Sequence, residues 1–269
     1  MPNLTDPTLP ARTDFPADLY VLERAHQLDL DEARRIQRAT LPEYPLRAGP
    51  VSVLHEFQPV VDVGGDFLDY FTLPDGTVGL YIGDVCGKGL PAALYAALTV
   101  GILRGIHKTG QGTSGVLSVL NRRMTLRGVS GRYAAMQYAV FDPASGLMDI
   151  TSAGMHGPFH ISQDVCQMLE MSGVPPGLFP DAAYESLTLH LAPGDSVVFC
   201  TDGIIEAMNP GDDFFGPERL VELCSMIASQ VPGSELAEYV FAAVGSFTEG
   251  RRQHDDMAVM VLYYSGVEP

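Results

Sequence analysis

YIGDVCGKGLPAAL, residues 81–94, has the outline of a nucleotide-binding loop: an apolar run, a glycine-rich turn with a lysine, then a helix-forming stretch. A P-loop needs four residues between its first glycine and the Gly-Lys pair, and a Ser or Thr hydroxyl after the lysine. Here three residues separate Gly83 from Gly87 and Gly89 follows Lys88, so the span is short and the hydroxyl is missing. What remains is Asp84 at the end of an apolar strand that includes Val78, Leu80, Tyr81 and Ile82. Pro91 suits the first position of the helix that follows, where its missing N–H would have no partner anyway. The stretch reads as a strand, a tight turn and a helix, and the aspartate is what it has to explain.

The sequence on either side is built of short strands and tight turns. VSVLHEFQPV (51–60) reads as a strand, and FLDYFTLPDGTVGLYIGDV (67–85) as a hairpin turning at Pro74-Asp75-Gly76. Helices are expected over 90–108 and 115–126. Strands return in YAAMQYAVF (133–141), LMDITSAG (147–154), a hairpin between FHIS and QMLEM (159–171), SLTLHL (186–191) and SVVFCTDG (196–203), with turns at DPASG and APGD. Helices follow over 204–208, 217–229 and 234–247, and MAVMVLYY (257–264) closes the chain as a strand. Upstream, residues 1–18 read as a loose tail, and LYVLERAHQLDLDEARRIQRATL (19–41) as a helix that Pro42 and Pro45 stop. Hairpin-linked strands with helical pairs between them suit antiparallel sheets with helices on their outer faces, an α+β architecture. A parallel doubly wound fold would need strand and helix to alternate.

The chain has 269 residues, 46% of them hydrophobic and 18% charged, enough to bury a substantial core. A formal net charge of −17 argues against nucleic acid as a partner, because phosphate-backbone binding is driven by clustered Lys and Arg. Cys86, Cys166, Cys200 and Cys224 lie too far apart for a CxxC pair and suit reduced thiols in a cytosol. No basic segment followed by an apolar core opens the sequence, and the most apolar window, 90–106, is interrupted by Gly101, Arg104 and Gly105. The expectation is a cytoplasmic protein that does not engage a membrane.

Four aspartate-bearing loops share one pattern. VGGDF sets Asp66 at the head of a strand, IGDVCGKG sets Asp84 at a strand end, VVFCTDGI sets Asp202 at a strand end, and RQHDDMAVMVL sets Asp255 and Asp256 before the last strand. An ionised carboxylate beside a buried strand costs several kcal/mol unless it is paired or bound to a metal. Only 16 Lys and Arg exist in the chain, and few flank these loops. All-oxygen ligation without a Cys or His pattern would select hard ions, Mg²⁺ or Mn²⁺, over zinc. A single Asp-Gly is more often a turn than a ligand, and Asp75 and Asp195 are read as turn residues. From the residues alone, turn and ligand both stay open for the four loops.

As a set, GGDF, DVCGKGLPAAL, SAGMHGPF, PPGLF, PGDSVVFCTDGIIEAMN, FG-ERL and DDMAVMVL resemble the SpoIIE/RsbU branch of the PPM (PP2C-like) metal-dependent serine/threonine protein phosphatases, in collinear order over roughly residues 50–265. ARRIQRATLP resembles the helix that often precedes this domain. The resemblance implies a four-layer α/β/β/α sandwich, with a tail and regulatory helix over 1–48 and the phosphatase domain over 49–269. It implies two Mn²⁺ or Mg²⁺ ions held by Asp66, Asp84, the Val85 carbonyl, Asp202 and Asp255, with Asp256 at a more variable position. Such ions turn a bridging water into hydroxide that attacks phosphorus in line, so no nucleophilic side chain is required. Lys88 is a candidate contact for the substrate phosphate. The implied substrate is a phosphorylated STAS-type anti-anti-sigma protein in a bacterial partner-switching circuit, with residues 19–41 as the contact for a regulator or a second copy.

Two positions depart from the family pattern: Met155 stands where a histidine is usual, with His156 one residue later, and Ala258 replaces a hydroxyl in the terminal DDxT. Both changes bear on the hydrogen bonding that supports metal ligands. Gly157 and Pro158 forbid a helical metal pair between His156 and His160, which read as loop or packing residues. Rival functions are a catalytically weak phosphoprotein-binding module of the same fold, and a hydrolase of small phosphorylated metabolites. Phosphate release with and without Mn²⁺ separates the first from an enzyme; comparing phosphoprotein with phosphometabolite separates the second.

Overall fold

The computed structural model describes residues 17–266 except 109, 127 and 130, so most of the expected tail lies outside the described residues. Helix α1 spans Ala17–Arg38 and ends before the prolines, as expected. Three strands follow in order: β1 (Leu46–Ala48), β2 (Val51–Gln58) and β3 (Phe67–Thr72). After β4 (Val78–Val85) come α2 (Leu90–Arg104) and α3 (Thr113–Leu126). The middle of the chain forms β5 (Ala134–Asp142), β6 (Leu147–Ala153), β7 (Phe159–Ser162) and β8 (Val165–Met168). It continues with β9 (Leu187–His190), β10 (Ser196–Cys200) and the single turn α4 (Asp202–Ile205). Helices α5 (Gly216–Ile227) and α6 (Leu236–Thr248) precede the last strand, β11 (Met257–Tyr264). No described helix is long and apolar enough to cross a membrane.

The strands form two antiparallel sheets, one ordered β1-β2-β11-β10-β7-β8 and the other β3-β4-β5-β6-β9. Side chains alternate faces along a strand, so a strand buried on both sides reads as continuously apolar. On β11, Met257, Val259 and Val261 enter a core shared with Leu220, Cys224, Val240 and Val244 of α5 and α6. Ala258, Met260, Leu262 and Tyr264 face the other way and meet Leu68, Leu80, Ile82, Phe141 and Ile150 of the second sheet. The outer face of that sheet, with Phe67, Tyr81, Met136 and Tyr138, packs under Tyr95, Leu103, Leu117 and Leu120 of α2 and α3. The result is the expected four-layer α/β/β/α sandwich.

Strand register fixes the positions of the acidic loops. Phe67 pairs with Gly83, so Asp66 and Asp84 flank the same cross-strand pair at one end of the second sheet. Cys200 pairs with Val259, which sets Thr201 and Asp202 beside the segment that carries Asp255 and Asp256.

One local expectation is corrected, and two features that the sequence did not show are added. β10 stops at Cys200, so Asp202 opens the first turn of α4 rather than ending a strand. The APGD turn joins β9 to β10 across the two sheets, and Asp195 within it is buried, accepting a hydrogen bond from Ala192 N–H (2.9 Å) and meeting His160 Nε2 at 3.0 Å. Strand β1, too short for a periodic signal, pairs with β2.

Candidate metal centre

The acidic loops approach one another at the edge of the sandwich, close enough for their carboxyls to shift one another. Asp66 is 2% exposed, at the foot of β3. Its Oδ2 accepts a hydrogen bond from Thr201 Oγ1 at 2.7 Å, and Thr201 Oγ1 in turn accepts one from Ala258 N–H at 3.0 Å. Burial, and then the neighbouring charges of Asp84 and Asp256, hold the Asp66 carboxyl well above the usual carboxylate range; the Thr201 hydrogen bond offsets only part of this. Asp84 is pushed up to about 7 by burial and by repulsion from Asp202 and Asp255. Asp202 is raised too, by the protein packed around its carboxyl and by Asp255, although much of the residue reaches solvent. Carboxylates that raise one another in this way, with few cations nearby, suit a divalent ion.

Gly65 lets the two halves of the cleft approach. A Cβ there would stand 2.7 Å from the Val85 carbonyl oxygen and 2.9 Å from Asp84 Oδ1, both too close for a side chain. The same distances show that the Val85 oxygen and the Asp84 carboxylate face one spot. The donor set is therefore all oxygen, which fits a hard cation of the Mg²⁺ or Mn²⁺ kind. Among the described residues no group of three or more His, Cys, Asp or Glu side chains is arranged to hold an ion as it stands.

Asp256, Asp255 and Lys88, like Asp66, have protein partners. Asp256 is 2% exposed and accepts Val60 N–H at 2.8 Å and Gly65 N–H at 2.6 Å, so it pins the Gly64-Gly65 turn. Lys88 Nζ lies 2.9 Å from Asp255 Oδ2 and also donates to the His254 carbonyl. The GGDF turn is held from outside as well. Gln37 of α1 donates to Gly64 O at 2.7 Å and accepts from Gly64 N–H at 3.1 Å, and Arg34 is paired with Asp62.

At one of the two departures, the Ala258 amide donates to Thr201 Oγ1, which in turn donates to Asp66. His156 sits in the loop before β7, its Nδ1 on the Gly157 carbonyl and its Nε2 3.9 Å from Cys200 Sγ. The sequence reading did not single out Thr201, although its place immediately before Asp202-Gly203 was a signal. It did not single out Gln37 either, and nothing in the local pattern marks it.

Residues 74–265 match the family model described as Stage II sporulation protein E (SpoIIE). The chain belongs to the SpoIIE family. Among curated relatives, the chain is 26% identical to protein IcfG of Synechocystis over 90% of its own length and 42% of IcfG. It is also 26% identical to phosphoserine phosphatase RsbU of Bacillus subtilis, over 87% of its length and 69% of RsbU. Less than half of IcfG is thus matched. The SiaA-PP2C domain of Pseudomonas aeruginosa superposes with a TM-score of 0.79 at 20% identity, covering 94% of this chain and all of that domain. The family and the PP2C-type sandwich agree with the expectation drawn from the motifs, on the SpoIIE/RsbU branch.

Proposed function

We propose that this chain is a metal-dependent protein serine/threonine phosphatase, acting on phosphoserine or phosphothreonine of a regulatory protein. The observation that carries the reading is the gathering of Asp66, Asp84, Asp202 and Asp255 closely enough that Asp84, whose carboxylate faces the same spot as the Val85 oxygen, is raised first by burial and then by Asp202 and Asp255, while Asp66 is raised by burial and then by Asp84. Asp66, Asp84, the Val85 carbonyl, Asp202 and Asp255 would hold two Mg²⁺ or Mn²⁺ ions, which when bound lower the pKa of water and neutralise charge on the transferring oxygens. Asp256 keeps the Gly64-Gly65 turn in place through two backbone amides, and we assign it to that support rather than to an ion. Thr201 orients Asp66, and Lys88 holds Asp255 in the cleft.

A covalent cysteine mechanism finds no support here. Cys200 stands beside His156, but it is fully buried, and burial with the charges of Asp202 and Asp66 pushes its thiol up, away from the reactive thiolate.

Catalysis falls within residues 49–269, and α1 is the regulatory input. Val21, Leu22, Leu28 and Ile36 stand exposed along α1, which supports a contact with a regulator or a second copy. RsbU is named a phosphoserine phosphatase, and the motif resemblance points to a phosphorylated STAS-type protein as the substrate. The deciding experiment measures phosphate release from such a phosphoprotein with and without Mn²⁺ or Mg²⁺, for the wild type and for Asp84→Asn. Ion-dependent release lost in the variant is expected. Release that ignores both the ion and Asp84 would overturn the reading.

A further inference from the structure

We infer that Arg132 binds the phosphoryl oxygens of the substrate, beside the loop that carries Asp84 and Val85. The inference rests on the phosphatase reading and adds to it a phosphate-binding side chain.

Arg132 lies just before β5, whose register pairs Ala134 with Val85 and Ala135 with Asp84. That pairing continues past the strand end: Cys86 N–H donates to the Tyr133 carbonyl at 3.2 Å, and Cys86 Sγ meets the Gly131 carbonyl at 3.2 Å. Arg132 is therefore fixed opposite the turn that follows the metal-binding segment. Its Nη1 donates to the Cys86 carbonyl, one residue beyond the Val85 oxygen. The guanidinium lies over Gly87, which has φ +95°, and any Cβ at that position would collide with Nη1. The glycine thus serves both the turn and the room the guanidinium occupies.

The chain has 33 Asp and Glu against 16 Lys and Arg. Arg34 is paired with Asp62, Arg104 with Asp69, Arg251 with Asp212, and Lys88 with Asp255. Arg132, beside the turn that follows Asp84 and Val85, pairs with no carboxylate among the described residues. One of its five N–H donors is used on a backbone carbonyl, which orients the planar fork and leaves the rest without a partner among the described residues. A fork held in this way matches two oxygens of a phosphate monoester dianion, for which guanidinium is better suited than ammonium. Lys88, the cation that the sequence suggested for this task, is already bound to Asp255 and the His254 carbonyl. Tyr95 of α2 donates to the Arg132 carbonyl at 3.3 Å, so the position of α2 bears on that of the arginine.

The test compares wild type with Arg132→Met and Arg132→Lys. It reads KM and kcat on the phosphoprotein, inhibition by inorganic phosphate, and Mn²⁺ affinity by calorimetry without phosphate. Arg132→Met is expected to raise KM and the phosphate inhibition constant by roughly tenfold or more, the scale of a lost charged hydrogen bond, with Mn²⁺ affinity within about twofold. Arg132→Lys, which keeps the charge and loses the fork, should fall between. Unchanged phosphate inhibition in Arg132→Met would overturn the assignment. So would a parallel fall in Mn²⁺ affinity in both variants, which would make the arginine a brace for the Cys86 turn. Calorimetry with inorganic phosphate and Mn²⁺-loaded protein separates the two claims. Arg132-dependent phosphate binding without any phosphoprotein turnover would sink the phosphatase reading and leave this one standing.

Discussion

Thr201 Oγ1 lies 2.7 Å from Asp66 Oδ2 and takes the Ala258 amide on its other side, so one hydroxyl ties the last strand to the most deeply buried carboxyl of the cleft. Hydrogen-bond partners of metal ligands commonly change metal affinity about 10–100-fold. Thr201→Val should weaken Mn²⁺ binding on that scale and cost about 1–3 kcal/mol of stability, because the buried Ala258 amide and Asp66 both lose a partner. Thr201→Ser keeps the hydroxyl and should stay near wild type. Calorimetric titration and denaturant unfolding of both variants read the two effects.

Acid crowding gives a pH signature. Asp66 and Asp84 are raised in the fold, Asp84 to about 7, so the metal-free folded protein binds more protons than the unfolded chain. Stability should therefore fall as pH rises from about 4 towards 7, the opposite of a salt-bridged carboxylate. An ion must displace those protons, so Mn²⁺ affinity should climb with pH through the region near 7 where Asp84 titrates. Titrations near pH 6 in buffers of different ionisation enthalpy should show proton release. A pH-independent affinity would contradict the coupling.

Asp202 and Asp256 should respond in opposite ways. Asp202→Asn removes a charge that Asp84 and Asp66 both feel, so the metal-free protein should melt higher while Mn²⁺ binding is lost. Asp256→Ala strands the Val60 and Gly65 amides. At about 1–3 kcal/mol for each of the two orphaned groups, it should cost about 2–6 kcal/mol, less the relief of the repulsion that Asp256 exerts on Asp66 and Asp84, and lower the melting temperature. Thermal melts of the two metal-free variants give the comparison.

Gln37 reaches from α1 to both backbone groups of Gly64, two residues before Asp66. Gln37→Ala should speed amide exchange over residues 64–66 and weaken Mn²⁺ binding, with a stability loss of about 1–2 kcal/mol from two part-buried hydrogen bonds. Hydrogen exchange with and without Mn²⁺ checks it. Unaltered exchange at these amides would show that α1 does not brace the turn.

Element types were largely legible in the sequence, because hairpin turns and two-sided apolar strands leave strong local signals. β11 shows why: Met257 to Tyr264 is apolar at every position because one face meets α5 and α6 and the other meets the second sheet. Strand β1 was not legible, since three residues carry no periodicity. The crossing at APGD was missed because a turn within one sheet and a turn between two sheets use the same residues. Asp195 shows the difference only by its burial against His160.

The candidate site divides in the same way. Composition and order supplied the aspartates, the glycines beside them and the shortage of nearby cations, all local properties of the chain. The partners were decided in three dimensions. Lys88 met Asp255 across 167 residues of sequence, Thr201 met Asp66 across 135, and Arg132 came to the Cys86 carbonyl without a carboxylate of its own. Such pairings follow from strand register and sheet order, which depend on how the faces of distant strands pack. A linear pattern records which groups are present, and only the packed sandwich determines which of them share a charge.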